Sequence, residues 1–215
     1  MRHMGDQQGA TLLEQLIALL LGTVVITSLY AFYRAQLFHL LSQEAKTVTL
    51  EDARGAMDII SRDLKNAGSW GTGSAPLERG GSDDPDGDSD SICNRVYMAT
   101  RRLIHIQMDL NGNDSCGDTD PRENIRYELA GSTATCPGKV VIRRNGDCLV
   151  PNVVTPVPDK LFSYYDSEGM DLGDTPALAA IKRIRIAFTV EVKKPDPRAL
   201  GKVASTLSTS VELRN

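Results

Sequence analysis

The stretch Gly9-Ala10-Thr11-Leu12-Leu13-Glu14-Gln15-Leu16-Ile17-Ala18-Leu19-Leu20-Leu21 opens an apolar run with one acid near its start. From Leu16 to Tyr33, eighteen residues, no side chain carries a formal charge. As a helix that run spans roughly 27 Å, close to the hydrocarbon thickness of a bilayer. A carboxylate carried to the bilayer centre costs about 2.5–3.5 kcal/mol. Glu14 is therefore expensive where it stands, and the chemistry asks for a partner. A secretory signal has a shorter apolar core that ends at a small-residue cleavage site. Here the core runs on through Thr27, Ser28 and Ala31. A plain signal anchor would hold a domain on the membrane, and it would need no Glu14.

The helical pattern does not stop at the end of that run. Leu37, Leu41, Ala45, Val48, Ala53, Met57, Ile60 and Leu64 recur every three to five residues, with charged and amide side chains between them. That spacing predicts an amphipathic stripe at helical period. No proline interrupts residues 10–75. Gly55 weakens a helix by only about 1 kcal/mol relative to Ala, and Gly68 is a natural stop. One helix from Ala10 to Ala67 would be about 87 Å long. No domain of the remaining size can bury such a rod, so its first half must project.

Downstream the period changes from helical to two. Ile104, Ile106 and Met108 alternate with polar residues, as do Ile125, Tyr127 and Leu129. Val140 and Ile142 follow, then Phe162 and Tyr164. Ile184, Ile186, Phe188, Val190 and Val192 form the clearest set, and Leu207, Thr209, Val211 and Leu213 the last. These patterns predict an antiparallel sheet with one wet face, its dry face receiving the amphipathic half of the helix. The stretch Lys193 to Lys202 reads as the hairpin loop before the final strand.

Composition narrows the function classes. A net charge of −4 with no basic stripe argues against nucleic-acid binding. Aromatics are only 5% of the chain, so the core is mainly aliphatic. All four cysteines (Cys93, Cys116, Cys136 and Cys148) lie beyond the apolar run, none in a CxxC pair, and His3, His39 and His105 are scattered. That arrangement disfavours zinc and favours two disulfides in an exported domain. Three pairings exist; Cys93–Cys116 with Cys136–Cys148 is favoured because each closes a short local loop, although the sequence does not decide among them.

Two loops could hold a cation. Asp83, Asp84, Asp86, Asp88 and Asp90 stand in a Gly/Ser/Asp/Pro segment, residues 71–91, that is either solvated or ordered by an ion. Asp109, Asn111, Asn113, Ser115 and Asp120 occupy positions 1, 3, 5, 7 and 12 of an EF-hand-like loop, a spacing suited to calcium. Asp114 replaces the expected glycine and no helices flank the loop. The competing reading is a polar hairpin turn built from turn-forming residues. No GxSxG, HExxH or phosphate-cradling glycine loop is present, so an enzyme is not expected and no cofactor is required.

The residues around Gly9 and Glu14 resemble the class III signal of type IV prepilins and pseudopilins. In that family a membrane peptidase cuts after the glycine and methylates the new N-terminus. The resemblance places the cut between Gly9 and Ala10, the N-methylation on Ala10, and Glu14 at the fifth mature position. This chain departs from the usual pattern in having Ala10 rather than an aromatic, and Arg2 as the only Lys or Arg of the leader. Ile60-Ser61-Arg62-Asp63-Leu64-Lys65-Asn66-Ala67-Gly68-Ser69-Trp70-Gly71 is similar to the "DLRxAGYxG" helix end of PilW-type minor pilins, and J-type pseudopilins of type II secretion have a related end. Asp109-Leu110-Asn111-Gly112 with Glu123, Ile125 and Tyr127 resembles the "DLNGDG…E.I.Y" region of the PilW type.

The implied fold is α+β and pilin-like: a long N-terminal helix, first half transmembrane and projecting, second half packed on an antiparallel β-sheet. It divides the chain into a leader (1–9), the transmembrane and assembly half of the helix (10–34), its amphipathic half (35–70) and a disulfide-bearing sheet domain (71–215). The implied partners are prepilin peptidase, other minor pilins and the major pilin, first in the inner membrane with a periplasmic domain and then in a surface fibre. The alternatives are a minor pseudopilin of type II secretion and a signal-anchored periplasmic module that binds calcium or an adhesive ligand.

Overall fold

The computed structural model describes residues 11–70, 94–113, 120–193 and 202–213. Helix α1 runs from Leu12 to Asn66, 55 residues, or about 82 Å by its rise. Thr11 caps its start, its hydroxyl accepting from the Glu14 amide at 3.3 Å. Glu14 lies in the first turn, where the helix dipole favours a negative charge. At the other end Ala67 leaves the helical conformation and Gly68 takes φ +73°. A Cβ on Gly68 would lie 2.8 Å from the Arg95 side chain, so the stop requires glycine for its space as well as its φ.

Nine strands follow among the described residues. The first sheet is antiparallel and runs in the order β1 (Val96–Ala99), β2 (Leu103–Gln107), β3 (Asn124–Gly131), β4 (Val140–Arg144), β5 (Asp147–Val150). In the second, β8 (Arg183–Lys193) pairs along its whole length with β9 (Lys202–Glu212). Its other neighbours are the short β6 (Val153–Val154) and β7 (Phe162–Tyr165). The single sheet expected from the alternation is thus two. The chain changes sheet at Pro151 and Asn152, the latter at φ 52°, a break that ends the β5 ladder before β6 begins. Strands β1, β5 and β6, which the sequence reading did not foresee, have only four, four and two residues. Strand β5 follows an Asn145-Gly146 turn at φ 50° and 89°, the primed hairpin geometry that this dipeptide favours.

Both sheets send alternate side chains into one core: Ile104, Ile106, Ile125, Tyr127 and Leu129 from the first, Phe162, Tyr164, Ile184, Ile186, Phe188 and Val190 from the second. The helix contributes Ala53, Ala56, Met57, Ile60 and Leu64. Packing of α1 starts at Leu50, well after residue 35, where its amphipathic half was expected to meet the sheet. Leu37, Leu41 and Val48 are 41%, 42% and 52% exposed. A five-stranded sheet is on the order of 20 Å wide at 4.8 Å per strand. That covers about 13 residues of helix and leaves the earlier stripe bare.

Cys136 and Cys148 are bonded, with Cα atoms 5.2 Å apart, closing the β4–β5 hairpin from outside. Cross-linking so short a loop stabilises by about 3 kcal/mol. Cys93 and Cys116 lie outside the described residues.

Candidate functional site

The projecting part of α1 is the first candidate. No residue from 12 to 52 is buried, and the helix is long and apolar enough to cross a membrane once. The threonine and serine hydroxyls of its apolar run are satisfied within the helix. Thr23 donates to the Leu20 carbonyl at 2.8 Å, Thr27 to that of Thr23 at 2.7 Å, and Ser28 to that of Val24 at 2.8 Å. Such back-bonding leaves no hydroxyl hydrogen unpaired in hydrocarbon. Glu14 is left as the sole charged group of the first twenty described residues, Thr11 to Tyr30. Gly9 and Ala10, the expected cleavage pair, lie outside the described residues.

The second candidate is the junction between the end of α1 and the first sheet. Tyr127 on β3 donates its hydroxyl to Asp63 Oδ2 at 2.6 Å. Arg144 on β4 donates from Nε to the same carboxylate oxygen at 3.1 Å and to the Tyr127 hydroxyl at 3.2 Å. Asp63 and Tyr127 are buried, and Arg144 is partly so. Burial, followed by the Asp63 carboxylate, drives the Tyr127 hydroxyl pKa far above its ordinary value, so Tyr127 is a fixed donor at any physiological pH. This cluster joins the two strings that carry the PilW-type resemblance: Asp63 belongs to the helix end and Tyr127 to the β2–β3 region.

The same two strings meet again through the backbone. The Gly68 amide donates to the Gln107 carbonyl at 2.9 Å, and the Asp109 amide to that of Ser69 at 2.9 Å. The turn after Asp109 is held by its own side chains. Asp109 Oδ1 accepts from the amides of Gly112 (2.7 Å) and Asn113 (3.2 Å). Asn111 Oδ1 accepts from the Asn113 amide at 2.8 Å. Buried Glu123 accepts from the amides of Leu110 and Asn111 at 2.8 and 2.7 Å and from Asn111 Nδ2 at 3.0 Å. Glu123 was not among the expected cation ligands, although it is the glutamate of the string quoted from this region of the sequence.

The proposed calcium set is only partly brought together. Asp109, Asn111 and Asn113 share the turn, whereas Asp120 faces Arg122, whose Nη2 lies 2.7 Å from it. Hydrogen bonding from Arg122 holds the Asp120 carboxyl down to about 2. Ser115 and the acidic segment with Asp83 to Asp90 lie outside the described residues. Among the described residues no group of three or more His, Cys, Asp or Glu is placed to hold a metal. In the described part of this loop, carboxylates bind the turn's backbone amides. His105 is likewise engaged on the first sheet, its Nε2 bonded to Asn124 Oδ1 and its ring edge-on to Tyr97 at 4.4 Å.

The layout is therefore pilin-like: one long, apolar N-terminal helix followed by an antiparallel head. Compared with family models, curated proteins and solved structures, the chain matches none of them.

Proposed function

We propose that this chain is a structural subunit of a type IV pilus, a minor pilin of the PilW type that primes or caps fibre assembly. The observation that carries this reading is the division of α1. A 55-residue helix meets the head only over its last third, and the exposed rod before it begins with an uncharged run, Leu16 to Tyr33, headed by a single carboxylate. Such a rod has two stable environments, a bilayer or a bundle of similar helices.

In this account the protein waits in the inner membrane with its head in the periplasm. Prepilin peptidase hydrolyses the Gly9–Ala10 bond, and water supplies the hydroxyl to Gly9 and the proton to the new Ala10 amine. The Glu14 carboxylate then pairs with the N-terminal amine of a neighbouring subunit. In an apolar bundle either charge alone is severely penalised, whereas the pair neutralises both. Leu16, Ile17, Leu20, Val24 and Leu29 supply the remaining contact with the neighbouring helices, those of other minor pilins and the major pilin. The head sets the subunit's position in the fibre.

Glu14→Ala tests the pairing. The variant should accumulate in the membrane and fall at least tenfold in purified fibres, the ratio expected for about 1.4 kcal/mol of lost pairing. Incorporation at the level of the unaltered protein would refute the role given to Glu14.

A further inference from the structure

Aromatic residues are unevenly placed along the projecting helix. The chain has four Phe, six Tyr and one Trp. Tyr30, Phe32, Tyr33 and Phe38 fall within nine consecutive positions, and residues 11–29 contain none. At about 100° per residue these four rings leave the helix at azimuths of roughly 0°, 200°, 300° and 80°. They surround the rod within about 12 Å of its length. Tyr30, Phe32 and Tyr33 are 61%, 63% and 63% exposed. The next apolar positions behave differently: Leu37, Leu41 and Val48 fall within about 40° of one another, a one-sided stripe suited to a protein neighbour.

A girdle of rings pointing all round the helix within about 12 Å matches a slab, not a neighbouring helix. The lipid headgroup interface is such a slab, and amphipathic rings settle there. Arg34 stands in the middle of the girdle with its guanidinium 5.5 Å from the centre of the Phe38 ring. From Glu14 to Arg34 the helix rises about 30 Å, the thickness of the hydrocarbon core. We propose that Tyr30, Phe32, Tyr33, Arg34 and Phe38 seat in the headgroup interface on the head side of the bilayer and fix the depth of the helix. The proposal rests on the reading of this helix as membrane-inserted. It leaves about 16 Å of bare helix between Phe38 and Thr49, so the head stands clear of the lipid surface.

Depth-dependent quenching in vesicles tests this on the full chain. Tyr33→Trp and Leu20→Trp are each made in a Trp70→Phe background and reconstituted with lipids brominated either near the glycerol or near the chain ends. The indole introduced at position 33 should be quenched most by the shallow bromines, and the one introduced at position 20 most by the deep ones. Trp70 of the unaltered chain should be quenched by neither. Deep quenching, or none, at position 33 together with deep quenching at position 20 would overturn the girdle while leaving the membrane span intact. Absence of quenching at position 20 would show that the span itself is not inserted, a separate failure that also removes the girdle. Quenching of Trp70 would contradict the stand-off of the head.

Discussion

Residues 12–48 and 49–66 are one continuous helix, yet their stability has different sources. The later segment buries Ala53, Ala56, Met57, Ile60 and Leu64 against two sheets and fixes Asp63 to Tyr127 and Arg144. Tertiary packing holds it, as it holds most helices of globular domains. In the earlier segment, among the described residues, no side chain is buried and all are at least partly exposed. Its backbone bonds are internal and Thr23, Thr27, Ser28 and Thr47 return their hydroxyls to its own carbonyls, so it is complete as a helix and incomplete as a surface. A single element can thus belong at one end to a domain and at the other to whatever medium or neighbour covers it.

The largest effect separating the two segments should come from Asp63. Asp63→Ala removes one partner of a buried ion pair and strands Arg144, a loss of about 3–5 kcal/mol from the head. Denaturant unfolding of the detergent-solubilised chain, followed at Trp70, would report it. A loss below about 1 kcal/mol would show that the cluster is better solvated than its burial implies.

Truncation in each segment is the direct contrast. Ile60→Ala should destabilise the head by about 2–5 kcal/mol through the cavity it leaves. Leu20→Ala should change head unfolding by less than about 0.5 kcal/mol, because no head residue touches it. Comparable effects at the two positions would mean that the projecting segment folds back on the head in solution.

The smallest effect lies outside both segments, at Asp120. Its carboxyl is held below the ordinary 3.8, at about 2, first by the hydrogen bond from Arg122. The sign follows: the contribution is present above the unfolded value and is lost as pH falls through about 2. An NMR titration of the Asp120 carboxyl should give a midpoint near the depressed value, and Arg122→Gln should return it toward 3.8. An unchanged midpoint in that variant would remove Arg122 as the cause.

Much of this architecture was readable along the chain, because it depends on local periodicity. The helical stripe, the Gly68 stop and the β8–β9 hairpin around residues 194–201 all follow from spacing within one segment. What was not readable depends on partners far away in sequence. The stripe from Leu37 to Val48 announces an apolar face without saying what covers it, so the start of packing was misplaced. Asp63 reads as one more charge on the helix flank. Only Tyr127 and Arg144, 64 and 81 residues away, make it a buried junction. The division into two sheets turns on Pro151 and Asn152, and strands as short as β1, β5 and β6 carry too few residues for a period to be seen. At the candidate site, Asp109, Asn111 and Asn113 are together as their spacing suggested. The acid that completes their turn is Glu123, where the sequence pattern favoured Asp120.

The central claim is that the projecting segment is an assembly element released by cleavage after Gly9. Its most direct test is the intact mass of the protein isolated from cells with an active prepilin peptidase. The account predicts a chain that begins at Ala10 and carries one N-terminal methyl group. A mass showing the Gly9–Ala10 bond intact in those cells would contradict it and leave a plain membrane anchor in its place.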